Sequence, residues 1–519
     1  FTLLNETFIE MGDFPGWRLF QLVFIVMSIP DIVAQADPDR EVTNRLDTAD
    51  VIYYPTGGGK TEAYLGLVTF TAFHDRLRGK EYGTTALTKF PLRFLSLEQL
   101  QRAAEVLGHA ELVRREDGLD GDPFSVGYFV GKDNVPNKLM DERRYDRADR
   151  IQEAKDDPPE DQDHEFLILS ECPFCGNESV EIDGDHERAR VDHVCTHSEC
   201  PWVKLHDGKE PLPVYVTDRE VYRHAPTFVV STIDKISIVG MQRRFRTLLG
   251  HIEARCPHHG FTGEEDCLVD DYDYPSKHTC DNEDLVEVDS VDPPSLIIQD
   301  ELHLLREEFG SFDSHYETLL QTLAEEFGDG WQMKVVAATA TIKGAERQVE
   351  ALYRREHNTF PAQGPRLKQS FYAYAHPRKV GRNMIGGIPR NVSRTFAINR
   401  IHEEQARIVQ EFQENPAELD AAIAARDPNE GEYDYDELDF LPGEDERKAE
   451  LIDVLDDYEV QVSYHYAKDN TQLMKRSVRT MINRNLATAD GNYHTLRPVL
   501  MTGETPLSLV RTYKDEIEA

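Results

Sequence analysis

Positive charge is scarce in this chain. Across 519 residues, 57 Lys and Arg stand against 96 Asp and Glu, a net charge of −39, and Arg outnumbers Lys roughly two to one. Such a surface lacks the cationic field that gathers phosphate backbones, which argues against a broad, open nucleic-acid face. The acidic runs are spread over the whole chain. That pattern fits a halophilic host, where dense carboxylates keep a protein hydrated, better than a surface given over to protein partners. A locally basic cleft remains open around Arg93, Arg102, Lys235, Arg243 and Arg244. Long apolar runs are also missing. The longest, Leu19 to Pro30, is too short to span a bilayer and contains Gln21; with no signal peptide visible, the expectation is a soluble, cytoplasmic protein with no membrane partner and a buried helix there.

Cysteine is absent from most of the chain, since all seven lie between residues 172 and 280. This excludes a disulfide framework and points to local metal sites. Cys172-Pro173-Phe174-Cys175-Gly176 is a knuckle that aims two thiolates at one point, and Cys195 and Cys200 follow at close to zinc-ribbon spacing, although the second pair is Cys-x₄-Cys. Four Cys ligands make a closed, structural Zn²⁺ site; His193 and His197 are spare candidates. Cys256, Cys267 and Cys280, with His258 as the fourth ligand, make a second candidate Zn²⁺ site of irregular spacing; His259 and His278 lie close by.

Chemistry concentrates elsewhere. Pro55-Thr56-Gly57-Gly58-Gly59-Lys60-Thr61-Glu62 follows a short apolar strand, Asp50 to Tyr54, and precedes a helix. A strand, a Gly-rich turn, Lys-Thr and a helix form a nucleotide phosphate cradle: glycines let backbone N–H groups turn inward, and the helix N-terminus adds partial positive charge. Lys60 is placed to reach the β/γ-phosphates of ATP and Thr61 to hold Mg²⁺. One departure is Tyr54, where the eight-residue pattern wants Gly. Downstream, Ser295-Leu296-Ile297-Ile298-Gln299-Asp300-Glu301-Leu302-His303 is an apolar run ending in two carboxylates, as a buried parallel strand delivers acids to its C-terminal edge. Asp300 is placed to bind Mg²⁺ through water, Glu301 to deprotonate the attacking water, and His303 to sense the γ-phosphate or couple the site to a neighbour.

Together these residues resemble a superfamily 2 helicase or translocase of the DExH type. The form Pro-Thr-Gly-Gly-Gly-Lys-Thr-Glu is that superfamily's phosphate loop, which answers the Tyr54 departure. Further segments fall in the superfamily's order. Ala86–Arg93 and Val229–Lys235 resemble its segments that contact nucleic-acid backbone, which assigns that role to Pro91, Arg93, Thr232 and Lys235. Ala338-Thr339-Ala340-Thr341 resembles the segment that couples hydrolysis to movement, and Gln21 resembles an adenine-reading glutamine. The resemblance covers roughly residues 15–380. A narrower likeness is to the helicase subunit of the DISARM anti-phage defence system, with DUF1998-type relatives as the competitor. It implies an ATP hydrolase acting on DNA rather than RNA, with partner subunits of a defence complex.

The fold class expected is α/β: a RecA-like lobe over residues 46–390 behind a helical segment, 1–45. Lys60 and Asp300 lie 240 residues apart, far more than βαβ units of ~30 residues require. The excess is assigned to a zinc-ribbon-like insertion, 166–211, a second Cys/His insertion, 251–290, and the charged stretch 143–163. Residues 391–459 read as an acidic linker or insertion. Residues 460–519 read as the start of a second RecA-like lobe, with strands at Val460–Tyr466 and Pro498–Gly503 around a helix at Thr471–Asn485. Because the chain starts at Phe1 and the superfamily's later motifs have no candidate before Ala519, it reads as a fragment that hydrolyses ATP weakly or not at all by itself. The alternative function is a zinc-bearing nucleotide switch that binds partner proteins without motor activity.

Overall fold

The computed structural model describes residues 1–12, 15–37, 42–55, 57–91, 93–131, 139–141, 148–149, 151–152, 154, 166–208, 210–263, 267, 280, 285–305, 307–340, 344–362, 364, 370–373, 392–415, 461–463, 468–488, 494–501, 509 and 512–513. The chain divides into two compact units, Phe1–Pro377 and Arg378–Ala519.

In the first unit the strands are β1 (Thr48–Tyr53), β2 (Ala86–Phe90), β3 (Val126–Phe129), β4 (Met140–Asp141), β5 (Ala148–Asp149), β6 (Val180–Asp185), β7 (Arg190–Cys195), β8 (Val214–Tyr215), β9 (Phe228–Thr232), β10 (Ala254–Cys256), β11 (Gly260–Thr262), β12 (Val286–Glu287), β13 (Leu296–Gln299), β14 (Lys334–Thr339) and β15 (Glu356–Phe360). Eight of them form one sheet in the order β15-β1-β14-β13-β2-β9-β3-β8, and every pairing in it is parallel. Parallel strands buried on both faces need apolar residues in succession. The sequence supplies them: Ile52, Ile298, Val336 and Val230 enter one core, while their neighbours Val51, Ile297, Val335 and Val229 enter the other. The first core is covered by the helices Leu19–Ala36, Lys60–Leu77 and Arg93–Glu116, and the second by Glu307–Phe327 and Ala345–Tyr353. This is the expected α/β lobe with a large parallel sheet.

The helix Leu19–Ala36 is longer than the apolar run read from the sequence, and its 18 residues, with mean hydropathy 1.8, match a membrane span in length and composition. Here it is a core helix. Gln35 Nε2 donates to Ser295 O at 2.9 Å, and Asp31 lies 2.8 Å from the Lys334 ammonium.

Two buried charge clusters pin the sheet. Lys334 pairs with Asp31 and with Asp50 (2.9 Å) at the start of β14 and β1. Toward the other end, Lys89 on β2 pairs with Asp313 (3.0 Å) and Glu317 (2.7 Å) on the Glu307–Phe327 helix, all three fully buried. Removing the cation from such a cluster strands two carboxylates. Lys89→Met is therefore expected to cost about 3–5 kcal/mol of stability at neutral pH. Burial already raises the Asp313 pKa; without Lys89 that carboxyl is held protonated more readily, so part of the loss is recovered as pH falls through its raised pKa. Urea unfolding of both proteins at neutral and mildly acidic pH measures this.

Both insertions are small antiparallel units: the hairpin β6–β7 and the sheet β11-β10-β12. In the second unit, the helix Arg394–Glu414 packs Ala406 against Met474, Val478, Ile482 and Leu486 of the helical stretch 468–488. The helix expected at Thr471–Asn485 is present. The two flanking strands are not formed by their described residues, 461–463 and 498–501. Those residues have no sheet partner, and a short apolar run does not make a strand without a neighbour to pair with. Nearly all of the acidic run 415–457 lies outside the described residues.

Candidate nucleotide site and metal centres

The parallel sheet brings the sequence-predicted residues to one edge. β1 and β13 flank β14, so the loop after Tyr53, the acids after Gln299 and Thr339 at the end of β14 all emerge at the strands' C-terminal ends. Gly57 and Gly59 have φ of 72° and 89°, which L side chains rarely adopt. Gly59 caps the Lys60–Leu77 helix, and a Cβ on Gly58 would lie 2.4 Å from the Tyr54 ring. Thr56 lies outside the described residues. Lys60 Nζ donates to Tyr54 O at 2.9 Å, so the ammonium folds back beneath the loop.

Gln21 is buried. Its Nε2 donates to Gly59 O at 2.9 Å, and its Oε1 accepts from Arg18 N at 2.8 Å. One end of the amide thus braces the glycine loop and the other caps the start of the Leu19–Ala36 helix, a different task from the adenine contact expected of it. Phe20 stacks on Tyr54 at 4.0 Å between centroids and completes this brace.

Asp300 is buried at the end of β13. Its Oδ1 accepts from Glu301 N (2.8 Å) and its Oδ2 from Tyr64 Oη (3.2 Å). Burial pushes its carboxyl up to about 6, opposed by the Glu301 N–H bond and by the Lys60 charge. Glu301 sits at φ 47°, ψ 46°, a left-handed conformation costing of order 1–3 kcal/mol in a non-glycine residue, of the kind that clusters at functional sites. His303 Nδ1 lies 3.1 Å from Glu301 Oε2 and 3.2 Å from Thr339 Oγ1. The acid pair and the β14 segment are therefore in direct contact through one imidazole. Ala340 follows Thr339; Thr341 lies outside the described residues. Glu62 forms an ion pair with Arg102 of the Arg93–Glu116 helix.

The residues expected at nucleic acid divide. Pro91 is half-buried at the end of β2, and Arg93 opens the following helix. Thr232 is buried at the end of β9. Lys235 is buried and paired with Asp218 at 2.6 Å; a phosphate contact by its ammonium is not available in this arrangement, because the cation is already neutralised inside the lobe.

The four thiols Cys172, Cys175, Cys195 and Cys200 converge within 4.8 Å of one another. Cys172 Sγ to Cys200 Sγ is 3.7 Å and Cys175 Sγ to Cys195 Sγ 3.9 Å. Those are the edges of a tetrahedron with about 2.3 Å from centre to sulfur, the zinc–thiolate length, and far beyond the ~2.05 Å of a disulfide. Hydrogen bonding from the Cys172 thiol pulls Cys200 down to about 5, while burial pushes Cys175 up to about 11. The second cluster is Cys256, His259, Cys267 and Cys280. The fourth ligand is thus His259, not His258. The β10–β11 turn pairs Cys256 with Gly260 and sends His259 inward, its Nδ1 3.3 Å from Cys256 Sγ and 3.4 Å from Cys267 Sγ, while His258 is exposed. His259 Nε2 lies 3.0 Å from Glu187 O of the β6–β7 turn, the outer contact that orients a metal-binding imidazole.

The DISARM protein DrmA of Bacillus paralicheniformis is 34% identical over 376 residues, 69% of this chain and 32% of that protein. The chain is a homologue of DrmA. It spans about a third of that relative's length. Solved structures with similarity include the DUF1998 helicase MrfA (TM-score 0.35, 13% identity, 69% of this chain and 32% of that one). Another is Mss116p bound to ssRNA and AMP-PNP (TM-score 0.33, 10% identity, 69% and 42%). No family model matches the chain.

Two contributors escaped the sequence reading. Tyr64 stands one helical turn after Lys60, so its placement on the same face was readable from the spacing. The Glu62–Arg102 pair joins residues 40 apart and left no local signal.

Proposed function

We propose that this chain is the ATP-binding part of a nucleic-acid motor in anti-phage defence, as the likeness to DrmA suggests, with DNA as the track. The observation that carries the reading is the meeting of Lys60, Asp300, Glu301, His303 and Thr339 at one sheet edge. The glycine loop and Lys60 would bind the phosphates. Thr61 and Asp300 would hold Mg²⁺, which when bound neutralises phosphate charge. Glu301 would take the proton of the attacking water at its carboxylate, and the His303–Thr339 contact would pass the state of the site to β14. The two cysteine clusters would hold structural Zn²⁺, one ion each, four protein ligands leaving no open position for catalysis.

The test is ATP hydrolysis at high KCl, with and without single-stranded DNA or RNA. Turnover stimulated by DNA supports the motor. Nucleotide binding without stimulation supports the alternative, a nucleotide switch for partner proteins, which the internal pairing of Lys235 and the net charge of −39 favour. A pH dependence follows as well. Asp300 must be ionised to hold a cation and is pushed up to about 6, so the Mg²⁺-dependent part of nucleotide affinity should fall about tenfold per unit below that pH and be level above it. Fluorescent-nucleotide titrations with and without Mg²⁺ from pH 5 to 8 measure it.

A further inference from the structure

The first cysteine cluster is not a free appendage. It is seated on the Arg93–Glu116 helix at positions two turns apart. Gln101 Nε2 donates to Glu171 O at 3.0 Å and its Oε1 accepts from Ser170 N at 3.1 Å. Gly108 lies under the knuckle so closely that a Cβ would stand 2.8 Å from Pro173 O. The Arg115 guanidinium lies 5.0 Å from the centroid of Trp202, which follows Cys200 and stacks on Phe174 at 4.5 Å. Residues 101, 108 and 115 repeat every seven and so share one helix face.

The same helix also touches the nucleotide site. Gln99 Oε1 lies 3.3 Å from Tyr64 Oη, and Arg102 pairs with Glu62. The Tyr64 hydroxyl has one proton and faces two acceptors, Asp300 Oδ2 at 3.2 Å and Gln99 Oε1, while its oxygen takes a hydrogen bond from the Thr61 side chain. It is buried, so no water competes.

We propose that the zinc ribbon is a regulatory input to the nucleotide site, transmitted by the Arg93–Glu116 helix to the Tyr64 hydroxyl, a positioning residue for Asp300. A shift of the ribbon moves the helix as a rod. Gln99 then approaches or leaves Tyr64, and the single proton is given to Asp300 or withheld from it. A carboxylate that loses this bond is free to turn away from the position where it would face Mg²⁺. The inference rests on the Mg-nucleotide reading of the site.

The experiment is a double-mutant cycle, since spatial adjacency alone does not demonstrate coupling. Tyr64→Phe removes only the hydroxyl. Gly108→Ala improves helix propensity while pressing on Pro173 O; Gln101→Ala loosens the seat without strain. N-methylanthraniloyl-ADP affinity is measured with and without added Mg²⁺, and zinc content is counted in every variant. Tyr64→Phe should lower the Mg²⁺-dependent gain in affinity about tenfold, the scale of a hydrogen bond to a charged group, and leave Mg²⁺-free binding unchanged. Gly108→Ala and Gln101→Ala, with zinc retained, should each lower the same gain several-fold and add nothing in the Tyr64→Phe background. Seat variants that bind like the unmodified protein, or whose effects add to Tyr64→Phe, overturn the coupling. If the unmodified protein binds no nucleotide, the functional reading fails first and takes the coupling with it.

Discussion

Glu301→Gln is expected to lower DNA-stimulated ATP turnover by about 10²–10⁴-fold, the usual contribution of a positioned general base, with nucleotide affinity nearly unchanged. The substitution keeps the shape of the side chain and removes only its capacity to accept a proton. Affinity persists because the loop, Lys60 and Asp300 are untouched. Glu301 is held at φ 47° between Asp300, which accepts its backbone N–H, and His303. The strained backbone thus sets the carboxylate against His303 and is fixed from two sides. Rapid-quench measurement of a single turnover separates chemistry from product release. A loss below tenfold in the chemical step would remove Glu301 from the role of base and leave Asp300 as the remaining carboxylate of the pair.

Metal removal should have the largest effect on stability. Metal analysis of the purified protein is expected to give two zinc ions per chain. Structural zinc sites carry apparent binding energies of about 10–16 kcal/mol, as large as the stability of a whole domain. The ribbon's hairpin and knuckle bury only a few apolar side chains, Phe174, Val180, Ile182, Val191 and Trp202 among them, a small core beside the contribution of four thiolates on one ion. Cys172→Ser should halve the zinc content and unfold the ribbon at ambient temperature, seen as exchange of the β6–β7 amides. His259→Ala should lose the second ion. His258→Ala should keep both, which distinguishes the two neighbouring histidines directly. A protein that elutes metal-free yet shows protected β6–β7 amides would refute the structural role of zinc.

The site was largely legible in the sequence because its parts are contiguous. A glycine loop before Lys60 or two acids after an apolar strand needs only a few residues to declare itself, and the parallel sheet then carries each to the same edge. The Cys172–Cys175 knuckle is readable for the same reason. What failed to show were choices made by distant neighbours. His258 and His259 are alike in sequence, and only the β10–β11 turn decides which ring faces the thiols. Lys235 looks like a phosphate contact until Asp218 is found beside it. Gln21 is committed to a loop 38 residues away. The strands expected in the second unit were read from short local runs, and a strand is a property of a pair.

The order of the sheet also sets a timetable for synthesis. β1 carries the glycine loop, yet its two neighbours are β14 and β15. Asp50 meets Val336 and Asn358, so β1 waits roughly 290 residues for its first partner, about 15–60 s at ordinary ribosome speeds. During that interval the hairpins around the cysteines can close locally. The glycine loop emerges early and gains its sheet neighbours last, so on the proposed reading a nascent chain would hold no nucleotide until nearly the whole lobe has left the ribosome.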